Sequence, residues 1–121
     1  MKPWQVSTIA LGTVLAADQV CKGLAITRGL IFENKRFGIY LPAIFLIAFF
    51  LIFLKTKRSH LQLPLILIIA GGASNLIDFI SRGAIIDYLH IIHFYFNLAD
   101  IAILTGVLLI AWQEYTKLNA T

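Results

Sequence analysis

The chain has 121 residues, of which 60% are hydrophobic and 13% charged, and its mean hydropathy is +0.86. A soluble domain of this length carries about 25% charged residues, so water alone cannot solvate this surface and lipid must cover part of it. Ten Lys and Arg against six Asp and Glu leave a formal charge of +4. With no basic face interleaved with aromatics, that balance argues against a nucleic-acid partner and for loops beside anionic headgroups.

Uncharged stretches close to the ~20 residues that cross a hydrocarbon core mark four spans, at roughly 4–21, 38–55, 61–80 and 95–114. The apolar runs are continuous and lack period-two alternation, so they read as helices. Short connections make an up-and-down bundle the simplest topology. The expected fold is therefore all-α, a four-span transmembrane bundle forming a single integral membrane domain over 1–121. Lys2, the first apolar run and Leu15-Ala16-Ala17 would also fit a cleavable leader; Asp18 and Lys22, immediately after, argue for a permanent span. Cys21 is the only cysteine, so no internal disulfide is expected.

In the third run, Ala70-Gly71-Gly72-Ala73-Ser74 removes side-chain bulk and lets another backbone approach. Gly12 and Ala16 can do the same in the first. Basic residues divide five and five between the two sides, so a simple count leaves orientation open. The cluster Lys55-Thr56-Lys57-Arg58 in a tight hairpin favours a cytoplasmic second hairpin, and with an even number of spans both termini are expected in the cytoplasm.

Ionisable groups inside a span cost about 2.5–3.5 kcal/mol each on insertion and are usually functional. Asp18 lies late in an outgoing span, Asp78 late in another and Asp100 early in a returning one, so all three fall at one end, with Asp87 in the connection there. Asn75 and Asp78 are three apart, as are Asn97 and Asp100, while Asp18 and Lys22 are four apart; each pair shares a helix face. Two carboxylates in a half-buried site cannot both ionise cheaply. They share a proton, so that one activates water while the other protonates a leaving amine. The same residues could instead cap helices, bind a cation or relay protons, as in a small carboxylate-lined carrier, although a carrier more often shows an internal repeat and midplane binding groups. Ser74 and Ser81 lack a histidine base in a recognisable motif. Asp87, His90 and His93 recur every three residues and could present a metal from a helical stripe, but interfacial histidines are the commoner explanation. Neither a resident metal nor a cofactor is expected.

Asp18-Gln19-Val20-Cys21-Lys22 resembles the Asp-Gln-x-x-Lys motif of signal peptidase II, the bacterial lipoprotein signal peptidases. Asn75-Leu76-Ile77-Asp78 followed by Gly83-Ala84-Ile85-Ile86-Asp87-Tyr88 is similar to that family's Gly-Asn-x-x-Asp-Arg and Gly-x-Val-Val-Asp-Phe. Phe96-Asn97-Leu98-Ala99-Asp100 matches its Phe-Asn-x-Ala-Asp. The resemblance implies Asp87 and Asp100 as the catalytic pair, with Asp18, Lys22, Asn34, Asn75, Asp78 and Asn97 shaping the site and holding substrate. It implies hydrolysis just before the lipid-modified cysteine of a prolipoprotein, at the outer surface of a bacterial cytoplasmic (inner) membrane, with membrane lipid around the enzyme and no obligate protein partner. An inactive relative with a cation-binding or carrier role is the alternative. Phe79 stands where the family has arginine, and Arg82, one turn on, can reach back to Asp78. Ser74 stands where glycine is usual. Asn34-Lys35-Arg36-Phe37-Gly38 keeps only the asparagine of Asn-x-Gly-Ala-Ala. The links from Asp18 to Asn34 and from Asp87 to Asn97 are short, which implies reduced outer elements.

Overall fold

The computed structural model describes residues 1–36 and 38–120; Phe37 of the weakly matched motif and Thr121 lie outside the described residues. Helix α1 runs Pro3–Thr27, entered through a proline at its first position, where the missing N–H is no loss. Gly29, at φ 67°, closes it: its N–H donates to the Ile26 carbonyl and that of Leu30 to the Ala25 carbonyl, the paired bonds of a left-handed glycine cap. Strand β1, Phe32–Asn34, leads to α2, Tyr40–Lys55. A short 3-10 turn, Ser59–Leu61, opens α3, Gln62–Arg82. Three strands follow, β2 (Ile85–Asp87), β3 (Leu89–Ile91) and β4 (Phe94–Phe96), before α4, Leu98–Asn119.

The molecule is thus mostly helical, but the all-α expectation needs correcting. Strand β1 pairs antiparallel with β2, Phe32 opposite Asp87 and Asn34 opposite Ile85, while β3 pairs with β4, Leu89 opposite Phe96 and Ile91 opposite Phe94. Residues 85–96 are largely isoleucine and aromatics, side chains that suit a pleated surface. Phe94–Phe96 therefore belongs to a hairpin rather than to the last helix. That helix starts later than the spacing predicts because Asn97 caps it instead of entering it: the Asn97 side chain accepts from Asp100 N at 2.9 Å and the Asp100 carboxylate from Asn97 N at 3.1 Å.

Among the described residues, three helical stretches, Pro3–Thr27, Ser59–Arg82 and Leu98–Asn119, are long and apolar enough to cross a membrane. Helix α2 has 16 residues and rises about 24 Å, short of a hydrocarbon core of about 30 Å. The β1–β2 pairing joins the exits of α1 and α3 at one end, so α2 must carry the chain back between them.

Helix α3 is central and packs on the other three helices, most extensively on α4. Glycine makes that approach possible. A Cβ on Gly71 would collide with the Ala99 carbonyl and the Ile103 side chain, and one on Gly106 with the Pro64 carbonyl and Ile68. Gly12 differs from expectation: a Cβ there would meet nothing, so it brings no helix closer.

Candidate active site

Asp18 and Lys22 sit one turn apart on α1 and are completely buried. The Lys22 ammonium lies 2.6 Å from Asp18 Oδ2 and 2.6 Å from Asp78 Oδ2, and donates to Asn75 Oδ1 at 3.1 Å. Asp78, also fully buried on α3, accepts further bonds from Ile86 N at 3.0 Å, Gln19 Nε2 at 3.1 Å and Arg82 at 2.9 Å. Asp18 accepts from Ser74 Oγ at 2.6 Å, Tyr88 OH at 2.8 Å and Ala99 N at 3.2 Å. With Lys22 included, each of these carboxylates receives four donors, about the capacity of a carboxylate. Two carboxylates face two cations, Lys22 and Arg82. A buried ionic group survives only when paired and hydrogen-bonded in this way.

The other two carboxylates are held more lightly. Asp87 ends β2 at 2% exposure and, among the described residues, accepts from Asn97 Nδ2 at 2.9 Å. Asp100, in the first turn of α4, accepts from Asn75 Nδ2 at 3.1 Å and Asn97 N at 3.1 Å. Asn97 thus touches both, one through its side chain and the other through its backbone. It is fixed in turn by Asn75 Oδ1 at 3.0 Å and the Ile86 carbonyl at 3.2 Å. Burial first, and then the nearby Asp100 carboxylate, push the Asp87 carboxyl up to about 7 from its ordinary 3.8, while Lys22 pulls the other way. Burial and its bond to Asp18 also push the Tyr88 phenol up, so it remains a proton donor.

Asp18, Lys22, Asn75, Asp78, Arg82, Asp87, Asn97 and Asp100 therefore converge in one network, and Arg82 does reach back to Asp78. Asn34 stands apart: its side chain accepts from Arg36 N at 3.1 Å and lines, with Asn75, Phe45 and Ile103, a mostly apolar cavity of about 240 Å³. A second cavity of about 240 Å³ borders Asp87, Tyr88, His90, Tyr95 and Phe32. The period-three histidine stripe does not form. Asp87 and His90 lie on separate strands and His93 in the turn beyond, with His90 stacked on Tyr95 at 4.2 Å.

Three participants were not expected from the sequence. Gln19 donates to the Ser74 carbonyl, Ser74 Oγ and Asp78, and accepts from Arg82 at 3.0 Å. Ser74 and Tyr88 both donate to Asp18. Gln19 and Tyr88 stand inside the motifs around Asp18 and Asp87, and Ser74 directly precedes Asn75, but nothing in the sequence marks their contacts.

The fold and site define a helical membrane protein whose bundle closes over a saturated ionic core and leaves two carboxyl groups beside it with coordination to spare. A family model described as signal peptidase (SPase) II matches residues 22–116, and the chain belongs to that family. It is 42% identical over 62 residues to a lipoprotein signal peptidase of Moorella thermoacetica, covering 50% of this chain and 41% of that one. It is 34% identical over 128 residues to one of Streptococcus thermophilus, covering 94% and 84%. A bacterial membrane enzyme solved by the in meso method at 2.3 Å resolution shares the fold, with TM-score 0.84 and 21% identity, covering 97% of this chain and 92% of that one.

Proposed function

We propose that this protein is an aspartic endopeptidase that removes signal peptides from lipid-modified prolipoproteins, cutting before the diacylglyceryl-cysteine, with Asp87 and Asp100 as the catalytic pair. The observation that carries the reading is the uneven coordination of the four carboxylates. Among the described residues, Asp18 and Asp78 each hold four donors, about the capacity of a carboxylate, whereas Asp87 holds one and Asp100 two. The two lightly held groups share Asn97, and Asp87 borders an open cavity.

Water bound between them would lose a proton to whichever carboxylate is ionised as its oxygen attacks the scissile carbonyl. The protonated partner then supplies the proton that the leaving nitrogen takes as the C–N bond breaks. The pair titrates as a unit, and a carboxyl raised to about 7 holds that single proton up to near-neutral pH, well above the ordinary carboxylate range. Asp18, Lys22, Asp78 and Arg82 hold the frame; Asn75 and Asn97 orient the pair, and Asn34 lines the neighbouring apolar cavity.

In this reading α2 is the fourth span, reaching across through its flanks and local thinning of the bilayer. The site lies at the outer face of a bacterial cytoplasmic membrane with both termini inside, as the cluster Lys55-Thr56-Lys57-Arg58 favours. A lipid-anchored substrate then keeps its acyl chains in the leaflet while its peptide enters the site. The test is cleavage of a lipidated prolipoprotein by the purified protein in detergent. Asp87→Asn and Asp100→Asn should each abolish turnover without unfolding the protein, because an amide neither takes nor gives the required proton. Appreciable cleavage by the double variant would sink the assignment.

A further inference from the structure

Asp18 is a buried carboxylate on α1, remote in sequence from both proposed catalytic residues, yet its hydrogen bonds end on the segments that carry them. Its Oδ1 accepts from Tyr88 OH at 2.8 Å and from Ala99 N at 3.2 Å; its Oδ2 accepts from Ser74 Oγ at 2.6 Å. Tyr88 OH in turn accepts from Leu98 N at 3.0 Å. Leu98 and Ala99 open α4, where backbone N–H groups lack helical partners. Asp18 and Tyr88 satisfy two of them, and the negative carboxylate sits at the positive end of that helix. Tyr88 directly follows Asp87, and Leu98 stands two residues before Asp100. One phenol hydroxyl therefore ties the strand that carries one proposed catalytic carboxylate to the helix that carries the other. Ser74 steadies the anchor from α3, with Gln19 donating to it at 2.9 Å. The motifs the chain resembles have glycine and phenylalanine at these two places, and neither carries a hydroxyl.

We propose that the hydroxyls of Ser74 and Tyr88 are positioning groups that act through Asp18 to hold the Asp87 and Asp100 carboxylates at their working separation. The proposal rests on the peptidase reading for its effect on turnover, while the clamp itself is a structural claim with its own readout. Tyr88→Phe keeps the ring and removes both bonds of its hydroxyl, and Ser74→Ala removes the bond to Asp18 together with the one from Gln19. The Tyr88 ring that borders the cavity is kept in Phe, and both hydroxyls are turned to Asp18, so the effect falls on the chemical step.

The experiment compares Tyr88→Phe, Ser74→Ala and the double variant with the parent protein in detergent, using Tyr115→Phe on the exposed face of α4 as control. Cleavage of a lipidated prolipoprotein peptide is measured across pH, together with amide hydrogen exchange at Leu98. Expected for Tyr88→Phe are a kcat about ten-fold lower, an unchanged KM, a displaced upper pH limb, and faster exchange at Leu98. The Ser74→Ala effect on kcat should shrink when Tyr88 is already Phe, since both act through one carboxylate. Parental kcat and pH profile in Tyr88→Phe would overturn the proposal. So would a kcat loss that tracks thermal stability with the pH limb unmoved, because that marks a general packing role. If the parent protein cleaves nothing, the peptidase reading fails by itself. Leu98 exchange then decides the clamp: acceleration in Tyr88→Phe supports it and parental exchange overturns it.

Discussion

The two ends of the bundle handle charge in opposite ways. At the end where β1 pairs with β2, Lys22, Asp18 and Asp78 have no exposed surface and both ion pairs close to 2.6 Å. At the other end, Arg58 and Glu114 meet at 3.1 Å with half and 41% of their side chains exposed, beside Lys55 and Lys57 in an unshielded turn. A charge kept out of water must be fully paired and so becomes part of the fold. A charge left in water stays nearly independent of it, free to meet headgroups. The polar end should therefore be intolerant of substitution and the basic end permissive.

The largest effect should come from Lys22→Met, which preserves length and apolar volume but strands Asp18 and Asp78 without their common cation. Breaking a buried pair by removing one partner costs about 3–5 kcal/mol. Thermal or denaturant unfolding in detergent should show a loss of that order, and a loss below 1 kcal/mol would mean the core is wetter than its geometry implies.

Asp87 comes second. Its folded value, about 7, lies above the ordinary 3.8, so on raising the pH the unfolded chain releases this proton first. Ionisation of Asp87 therefore destabilises the fold progressively between about pH 4 and 7, with no effect below and a plateau above. The penalty is on the order of 2 kcal/mol, because water in the adjoining cavity relieves part of the burial. Asp87→Asn should be more stable than the parent at pH 8 and equal to it at pH 3.5. Turnover by the parent should fall as pH rises past about 7, when the pair loses its proton. A difference in stability that stays flat with pH would contradict the raised value.

Much of this end is written in local spacing. Asp18 with Lys22 and Asp78 with Arg82 are pairs four residues apart that a helix brings onto one face, while Asn97 and Asp100, three apart, meet as cap and first turn of α4. The convergence of four aspartates at one end follows from counting apolar runs. What spacing does not carry is contact between distant segments: Ser74 and Tyr88 reach Asp18 across 56 and 70 residues. Three-residue strands such as β1 and β2 are too short to show alternation, so the sheet could not be read. The difference between α2 and α3 is partly legible, since α2 is apolar all round whereas α3 carries Ser74, Asn75 and Asp78 beside a run of small residues. The close approaches of Gly71 to Ala99 and of Gly106 to Pro64 mark α3 as the helix others close upon.

Arg82 tests the boundary between the two regimes, being 28% exposed while its partner Asp78 is fully buried. A hydrogen bond to a charged group is worth about 1.5 kcal/mol, so Arg82→Ala should lower turnover about ten-fold. Lys35→Ala, which breaks a 3.8 Å pair with Glu33 at an exposed site, should change nothing measurable. Equal small effects would show that Lys22 and Gln19 suffice to hold Asp78.

The smallest effect belongs to Arg58 and Glu114. Both side chains give up rotamer freedom to meet, water competes for each, and salt screens what is left, so such pairs couple by about 0.2–1 kcal/mol. A double-mutant cycle with Arg58→Ala and Glu114→Ala, read by unfolding in detergent, should return a value in that range. It should vanish in 1 M salt, where screening acts over about 3 Å, whereas the loss caused by Lys22→Met should survive the same salt because no ions reach that pair. The contrast in salt dependence is the sharper measurement, since it does not require either variant to be strongly destabilised. A coupling above about 2 kcal/mol that resists salt would place Arg58 and Glu114 in a dry contact, and the two ends of the bundle would then obey the same rule.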